Sequence, residues 1–163
     1  MGECELYLGI DVGSVSTNII VMDKNLNVLE KNYIRTQGRP IQILKESLME
    51  LSSNLPLRST IAGVGCTGSG RELAGAIVGA DVVKNEITAH GMAAITFLPD
   101  TSTVIEIGGQ DSKMIIIRNG IITDFAMNTV CAAGTGSFLD RQASRLNIPI
   151  SEFGELAEAS KAP

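Results

Sequence analysis

The chain has 163 residues, 44% of them hydrophobic and 19% charged, with a formal net charge of -5. That balance excludes a disordered chain, and an acidic total without a basic stripe excludes a nucleic-acid partner. The acidic start Met1-Gly2-Glu3-Cys4-Glu5, with no apolar run near the roughly 18 residues that span a bilayer, argues for a cytoplasmic protein and against a membrane partner.

Taken in order, residues 5–11, 18–23 and 28–36 read as three strands of an antiparallel meander. Pro40 suits the first turn of a helix, and Ile41, Leu44, Leu48 and Leu51 follow at helical spacing up to about Ser52. A short strand is expected from Thr60 to Gly65, ended by Gly65-Cys66-Thr67-Gly68-Ser69-Gly70, then helices over 71–78 and about 85–97. The second of these carries Glu86 and His90 four residues apart, most simply a hydrogen-bonded helix histidine. Pro99-Asp100 reads as a boundary between a first domain, 1–98, and the beginning of a second, 99–163. Beyond it the meander pattern starts again, with strands at 103–107, 113–118 and 121–127 and a tight Asn119-Gly120 turn. Helices are expected over 137–146 and, more weakly, 151–160.

Two strand-to-strand turns share one composition: Asp11-Val12-Gly13-Ser14-Val15-Ser16-Thr17 and Glu106-Ile107-Gly108-Gly109-Gln110-Asp111-Ser112-Lys113. Glycines let backbone N–H groups approach phosphate oxygens, hydroxyls add donors, and a carboxylate at a strand end can hold Mg²⁺ through its waters. Either turn alone could owe its Gly, Ser and Asp to turn geometry. Turn chemistry gives no reason for both to recur at the same place in two meanders, so a phosphate clamped between two domains is the simpler account. No Walker pattern occurs. Gly63-Val64-Gly65-Cys66-Thr67-Gly68 has the G-x-G-x-x-G spacing, but no acidic residue sits about 20 positions on at a strand end, so it reads as a nucleotide-adjacent or interface loop rather than a dinucleotide fingerprint.

Three cysteines, Cys4, Cys66 and Cys131, form no even set and no close pair, so neither a disulfide framework nor intrachain zinc is supported. Cys131 stands apart because it precedes a helix and is followed by Gly134 and Gly136. Unpaired amides at a helix start favour a thiolate, which can hold a soft metal. The plain alternative is a small buried hydrophobe, and Cys4 and Cys66 are read as incidental.

Ile10-Asp11-Val12-Gly13-Ser14, Glu86-Ile87-Thr88-Ala89-His90, residues 104–113 and Cys131-Ala132-Ala133-Gly134-Thr135-Gly136-Ser137-Phe138-Leu139 resemble, in order, the BadF/BadG/BcrA/BcrD ATPase family. Its members are activators of 2-hydroxyacyl-CoA dehydratases and ATPase subunits of benzoyl-CoA reductase. The resemblance implies an α/β, ribonuclease H-like fold, that of the acetate kinase, sugar kinase, heat-shock chaperone and actin superfamily, with the second domain incomplete. It implies a homodimer with one [4Fe-4S] cluster on its two-fold axis, held by two cysteines from each subunit, of which Cys131 matches the first. ATP binding and hydrolysis, with Mg²⁺, would drive low-potential electron transfer from reduced ferredoxin or flavodoxin to an acyl-CoA dehydratase or reductase component. Asp11, Gly13, Ser14, Ser16 and Thr17 map to the first phosphate loop, and Gly108, Gly109, Gln110, Asp111, Ser112 and Lys113 to the second. Glu106 stands where relatives commonly have Asp. The second cysteine ligand and the adenosine-binding part of the family are expected beyond Pro163, which makes the chain an N-terminal fragment carrying half a ligand set.

Two other functions fit the same residues. A small-molecule kinase of the same superfamily would use Asp111 as base toward a substrate hydroxyl, although 4% aromatic content is low for a sugar site. A non-catalytic module would use the fold only to bind nucleotide.

Overall fold

The computed structural model describes residues 4–56, 58–128, 130 and 134–161, apart from the Cys4 side chain. The chain divides into two compact units, Met1–Pro99 and Asp100–Pro163.

The first unit is a mixed sheet with helices. β1 (Cys4–Val12), β2 (Ser16–Asp23) and β3 (Val28–Arg35) form the expected antiparallel meander, α1 (Pro40–Asn54) follows, and β4 (Ser59–Thr67) returns parallel to β1. α2 (Arg71–Val78), β5 (Val82–Val83) and α3 (Glu86–Phe97) complete it, with sheet order β3-β2-β1-β4-β5. β2 shows the period-two rule directly: Thr17, Ile19 and Val21 are buried while their neighbours are not. α1 turns Ile43, Leu44, Ser47 and Leu51 inward, as its 3.6-residue period dictates. Leu44 and Leu51 meet Ile10, Val12, Ile19, Cys66 and Ala74 in one core. Truncating a side chain as buried as Ile10 there costs on the order of 3 kcal/mol. This core sits directly under the end of β1, so it fixes where Asp11 lies.

Two elements depart from the sequence expectation. β4 runs two residues past Gly65, because Gly65, Cys66 and Thr67 pair in register with Gly9, Ile10 and Asp11. That pairing outweighs the turn-forming composition of the segment. β5, which is too short to carry a periodic pattern, was not expected; it pairs Val82 and Val83 with Gly65 and Cys66. Asp23 organises the β2–β3 turn: its carboxylate accepts from the Asn25 and Asn27 amides and from the Asn27 side chain. Those bonds, the Asn27 side chain first, hold the carboxyl below its ordinary value.

The second unit pairs β6 (Thr103–Ile107), β7 (Ser112–Arg118) and β8 (Ile121–Met127) as an antiparallel meander, followed by α4 (Gly136–Arg145) and α5 (Ile150–Glu158). Asn119 and Gly120 adopt φ of 52° and 73°, the left-handed pair that a primed two-residue turn requires. Alternate β7 residues Lys113, Ile115 and Ile117 are buried. On α4 and its C-cap, Ala143 is buried, whereas Phe138, Leu139 and Leu146 are exposed. No helix among the described residues is long and apolar enough to cross a membrane.

Candidate functional site

The two acid-and-glycine turns fold into the same hairpin. In the first, the Gly13 amide donates to the Ser16 carbonyl at 2.9 Å, and in the second the Gly108 amide donates to the Asp111 carbonyl at 2.9 Å. Asp11 pairs across its ladder with Asn18, and Glu106 pairs across its own with Lys113. Each correspondence keeps one offset, 95 residues (108 − 13, 111 − 16, 106 − 11, 113 − 18). A Cβ at either leading glycine would crowd the facing carbonyl, at 2.9 Å from Ser16 O for Gly13 and 3.1 Å from Asp111 O for Gly108. The duplication read as composition is thus a duplication of backbone.

Both turns are also braced from behind. Thr36, just after β3, donates its hydroxyl to the Gly13 carbonyl at 3.0 Å and its amide to the Val15 carbonyl at 2.9 Å. In the second unit the Gly136 amide donates to the Gly108 carbonyl at 2.9 Å and the Ser137 amide to the Gly109 carbonyl at 2.8 Å. The Thr135 hydroxyl adds a bond to the Gly109 carbonyl at 3.0 Å. In a planar trans peptide the N–H points opposite to the C=O. With these carbonyls turned toward their braces, the amides of Ser14, Gly109 and Gln110 are turned the other way. None of the three donates a turn or loop hydrogen bond to another described backbone group. Backbone amides presented in this manner suit an anion such as phosphate.

The side chains expected at these turns divide into two groups. Ser14 is exposed and Ser16 half-buried at the first turn, and Gln110 is exposed at the second. Thr17, in contrast, is 1% exposed, with its hydroxyl 3.0 Å from that of Thr36, so its contact is with the brace. Ser112 is held through its amide, which donates to the Asn128 side chain at 2.9 Å. The Lys113 ammonium, only 2% exposed, reaches Asp111 Oδ1 at 2.7 Å and Glu106 Oε2 at 3.1 Å. The three charges gather over Gly108, where a Cβ would stand 2.9 Å from Glu106 Oε1 and 3.2 Å from Asp111 Oδ1.

No group of three or more His, Cys, Asp or Glu side chains that could hold a metal occurs among the described residues. Mg²⁺ usually takes one or two carboxylates and completes its octahedron with phosphates and water. Glu106 and Asp111 therefore fit Mg²⁺ only in company with a phosphate, each sharing its charge with Lys113.

Cys131 lies outside the described residues. The amides expected to stabilise its thiolate are described in part, and here the expectation is corrected. Gly136 and Ser137 donate to Gly108 and Gly109, and Phe138 donates to the Thr135 carbonyl at 2.9 Å, so these helix-start amides are already engaged. Cys66 is 4% exposed within the first core, and burial pushes its thiol above the ordinary value, as suits a structural cysteine. His90, expected to be hydrogen-bonded, has a buried Nδ1 without a partner among the described residues.

Three residues near these turns were given no individual role from the sequence, although the first lies in the loop read as nucleotide-adjacent or interface. Thr67, opposite Asp11 in the β1–β4 ladder, has a buried hydroxyl without a hydrogen-bond partner among the described residues. Gly68 follows it at φ 91°, packed so closely that a Cβ would collide with Asp11 Oδ1 and stand 2.5 Å from the Val12 carbonyl. This loop therefore closes on the first hairpin, and the Gly70 amide donates to the Val12 carbonyl at 2.8 Å. Asn128 and Thr135 are the other two. Their signal is polarity at a strand end and at a helix start, which by itself does not distinguish them from ordinary caps.

An α/β fold of this topology places the chain in the ribonuclease H-like class that includes actin and the heat-shock chaperones. The chain belongs to the BadF/BadG/BcrA/BcrD ATPase family, whose model matches residues 8–163. It is 37% identical to the (R)-2-hydroxyglutaryl-CoA dehydratase activating ATPase of Acidaminococcus fermentans over 94% of this chain and 58% of that one. The crystal structure of component A of that organism's (R)-2-hydroxyglutaryl-CoA dehydratase matches with a TM-score of 0.83 at 36% identity, over 96% of this chain and 60% of the other. The activator of the 2-hydroxyisocaproyl-CoA dehydratase from Clostridium difficile, with bound ADPNP, matches with a TM-score of 0.81 at 30% identity, over 96% and 57%. The chain thus spans about three fifths of the length of these relatives.

Proposed function

We propose that the protein is an ATP-dependent activator. It would use ATP hydrolysis to drive a low-potential electron from a [4Fe-4S] cluster at a homodimer interface to a 2-hydroxyacyl-CoA dehydratase or benzoyl-CoA reductase-type component, with reduced ferredoxin or flavodoxin as donor. The observation that carries the nucleotide half is the repeated hairpin, whose outward amides at Ser14 and at Gly109 and Gln110 are held by braces of different sequence. Turn geometry alone needs no such braces. The names of the relatives support the activator half, and Cys131 in its Cys-Ala-Ala-Gly-Thr-Gly run supplies one thiolate per subunit. A two-fold axis would double that ligand, and the cluster, when bound, supplies the redox chemistry.

In this reading Ser14, Ser16 and the outward amides bind phosphate oxygens. Asp11 in the first unit, and Asp111 with Glu106 in the second, would each anchor Mg²⁺ or phosphate from its own domain, and Thr17 and Ser112 keep their turns in register. Lys113 moderates the repulsion between Glu106 and Asp111 and adds positive charge beside the phosphates. The test is hydrolysis of ATP by the wild type and by Asp11→Ala and Asp111→Ala. Each substitution should abolish turnover while the far-ultraviolet circular dichroism stays native, and wild-type turnover in both would defeat the proposal.

A further inference from the structure

We infer that Thr67 is a ligand-binding residue of the first turn: its hydroxyl bonds the water shell of a Mg²⁺ anchored by Asp11, and the β4–α2 loop forms a further wall of that phosphate site. The inference rests on the phosphate reading of the 11–17 turn and deepens it by adding a residue of a different loop.

The sheet sets the placement. Asp11 and Thr67 are direct partners in the parallel β1–β4 ladder. Side chains alternate between the two faces of a strand, and partners in register share a face. Ile10, Val12 and Cys66 belong to the core under α1 and α2, so Asp11 and Thr67 stand side by side on the opposite face. Gly68 then turns the chain at φ 91°, passing so close that a Cβ there would collide with Asp11 Oδ1. The loop is pressed against the carboxylate in a conformation that favours glycine.

The hydrogen bonds of this loop leave the Thr67 hydroxyl out. The Val12 carbonyl accepts from the Gly70 amide at 2.8 Å and from the Ser69 hydroxyl at 3.4 Å. The Gly68 carbonyl accepts from the Arg71 amide at 3.2 Å and from its guanidinium at 3.1 Å. The Cys66 carbonyl accepts from the Lys84 amide at 3.0 Å. Thr67 Oγ1 is buried and has no partner among the described residues. A buried hydroxyl that bonds nothing is less favourable than a methyl of the same size, and local rules are broken in this way where a ligand is received. Its neighbour decides which ligand. A carboxylate only accepts hydrogen bonds, so the place beside it suits a donor. A metal-bound water has two protons to give, one to Asp11 and one to the Thr67 oxygen, and Mg²⁺ keeps several such waters.

The experiment compares wild type, Thr67→Val and Thr67→Ser in the intact protein, by calorimetric titration with Mg-ADP and with ADP in EDTA, and by thermal melts without nucleotide. Valine keeps the β-branched shape and removes the hydroxyl. Thr67→Val should bind Mg-ADP at least about ten-fold more weakly, the lower end of what a hydrogen bond to a charged group supplies. It should bind ADP in EDTA as wild type does and, without nucleotide, melt no lower than wild type. Thr67→Ser should keep its Mg-ADP affinity. Wild-type affinity for Mg-ADP in Thr67→Val would overturn the inference. An equal loss with and without Mg²⁺ would overturn it too, because the contact would then be to phosphate, and a lower melting point without nucleotide would make the hydroxyl structural. A wild type that binds no Mg-ADP would instead remove the phosphate reading, and the inference with it.

Discussion

Replacing Lys113 by Met leaves the hairpin's shape nearly unchanged and removes its central cation. The Lys113 ammonium is 2% exposed and bonds two carboxylates, so its loss leaves Glu106 and Asp111 facing each other without a counter-charge. Breaking a buried pair by deleting one partner costs about 3–5 kcal/mol. The carboxylates are 19% and 38% exposed, so water screens part of the repulsion and we expect about 2–3 kcal/mol. For a chain of this length that is a Tm fall of roughly 4–12 °C. Thermal melts of wild type and Lys113→Met at pH 8, with Lys113→Met/Glu106→Gln as partial rescue, read the effect. A melting point of Lys113→Met within about 2 °C of wild type, or a double variant no more stable than the single one, would refute the reasoning.

Gly68→Ala should destabilise the first unit by about 3 kcal/mol, since its Cβ would overlap Asp11 and Val12 at a φ of 91° that disfavours side chains; a native melting point would contradict this. Cys66 should resist iodoacetamide in the native protein. Because its folded thiol ionises above the unfolded value of 9.0, the stability it contributes is complete below that pH and declines above it, so Cys66→Ala should flatten the alkaline fall in unfolding free energy. The intact protein, prepared anaerobically, should be a brown dimer, and its Cys131→Ser variant should lose its iron yet still bind Mg-ADP; a full cluster complement in the variant would end the cluster assignment. With a net charge of -5, the protein should not retard DNA at physiological salt, and a salt-sensitive mobility shift at micromolar protein would count against that reading.

Local rules were enough to locate most elements. The alternation in β2, the helical spacing of Ile41, Leu44, Leu48 and Leu51, and the Asn119-Gly120 turn each follow from residues within one or two turns of chain, and each appears in the structure. The two acid-and-glycine turns were legible as a repeated composition for the same reason. What the sequence could not disclose depends on partners distant in the chain. Strand β4 passes through Gly65, Cys66 and Thr67 because β1, more than fifty residues earlier, supplies the hydrogen bonds, and β5 exists only because β4 is there to pair with it. The helix-start amides near Cys131 looked free to stabilise an anion, since a sequence shows that such amides lack intrahelical partners and cannot show who else claims them. Packing brought Gly108 and Gly109 against them, and the same contacts turned the Gly109 and Gln110 amides outward. Lys113 read only as part of a phosphate loop, and the sequence could not show that the ladder sets it opposite Glu106 on a buried face, as the counter-charge of two acids. Periodicity and turn chemistry are properties of neighbours, which sequence order contains. Hydrogen-bond partners and burial are settled only when the whole chain has packed.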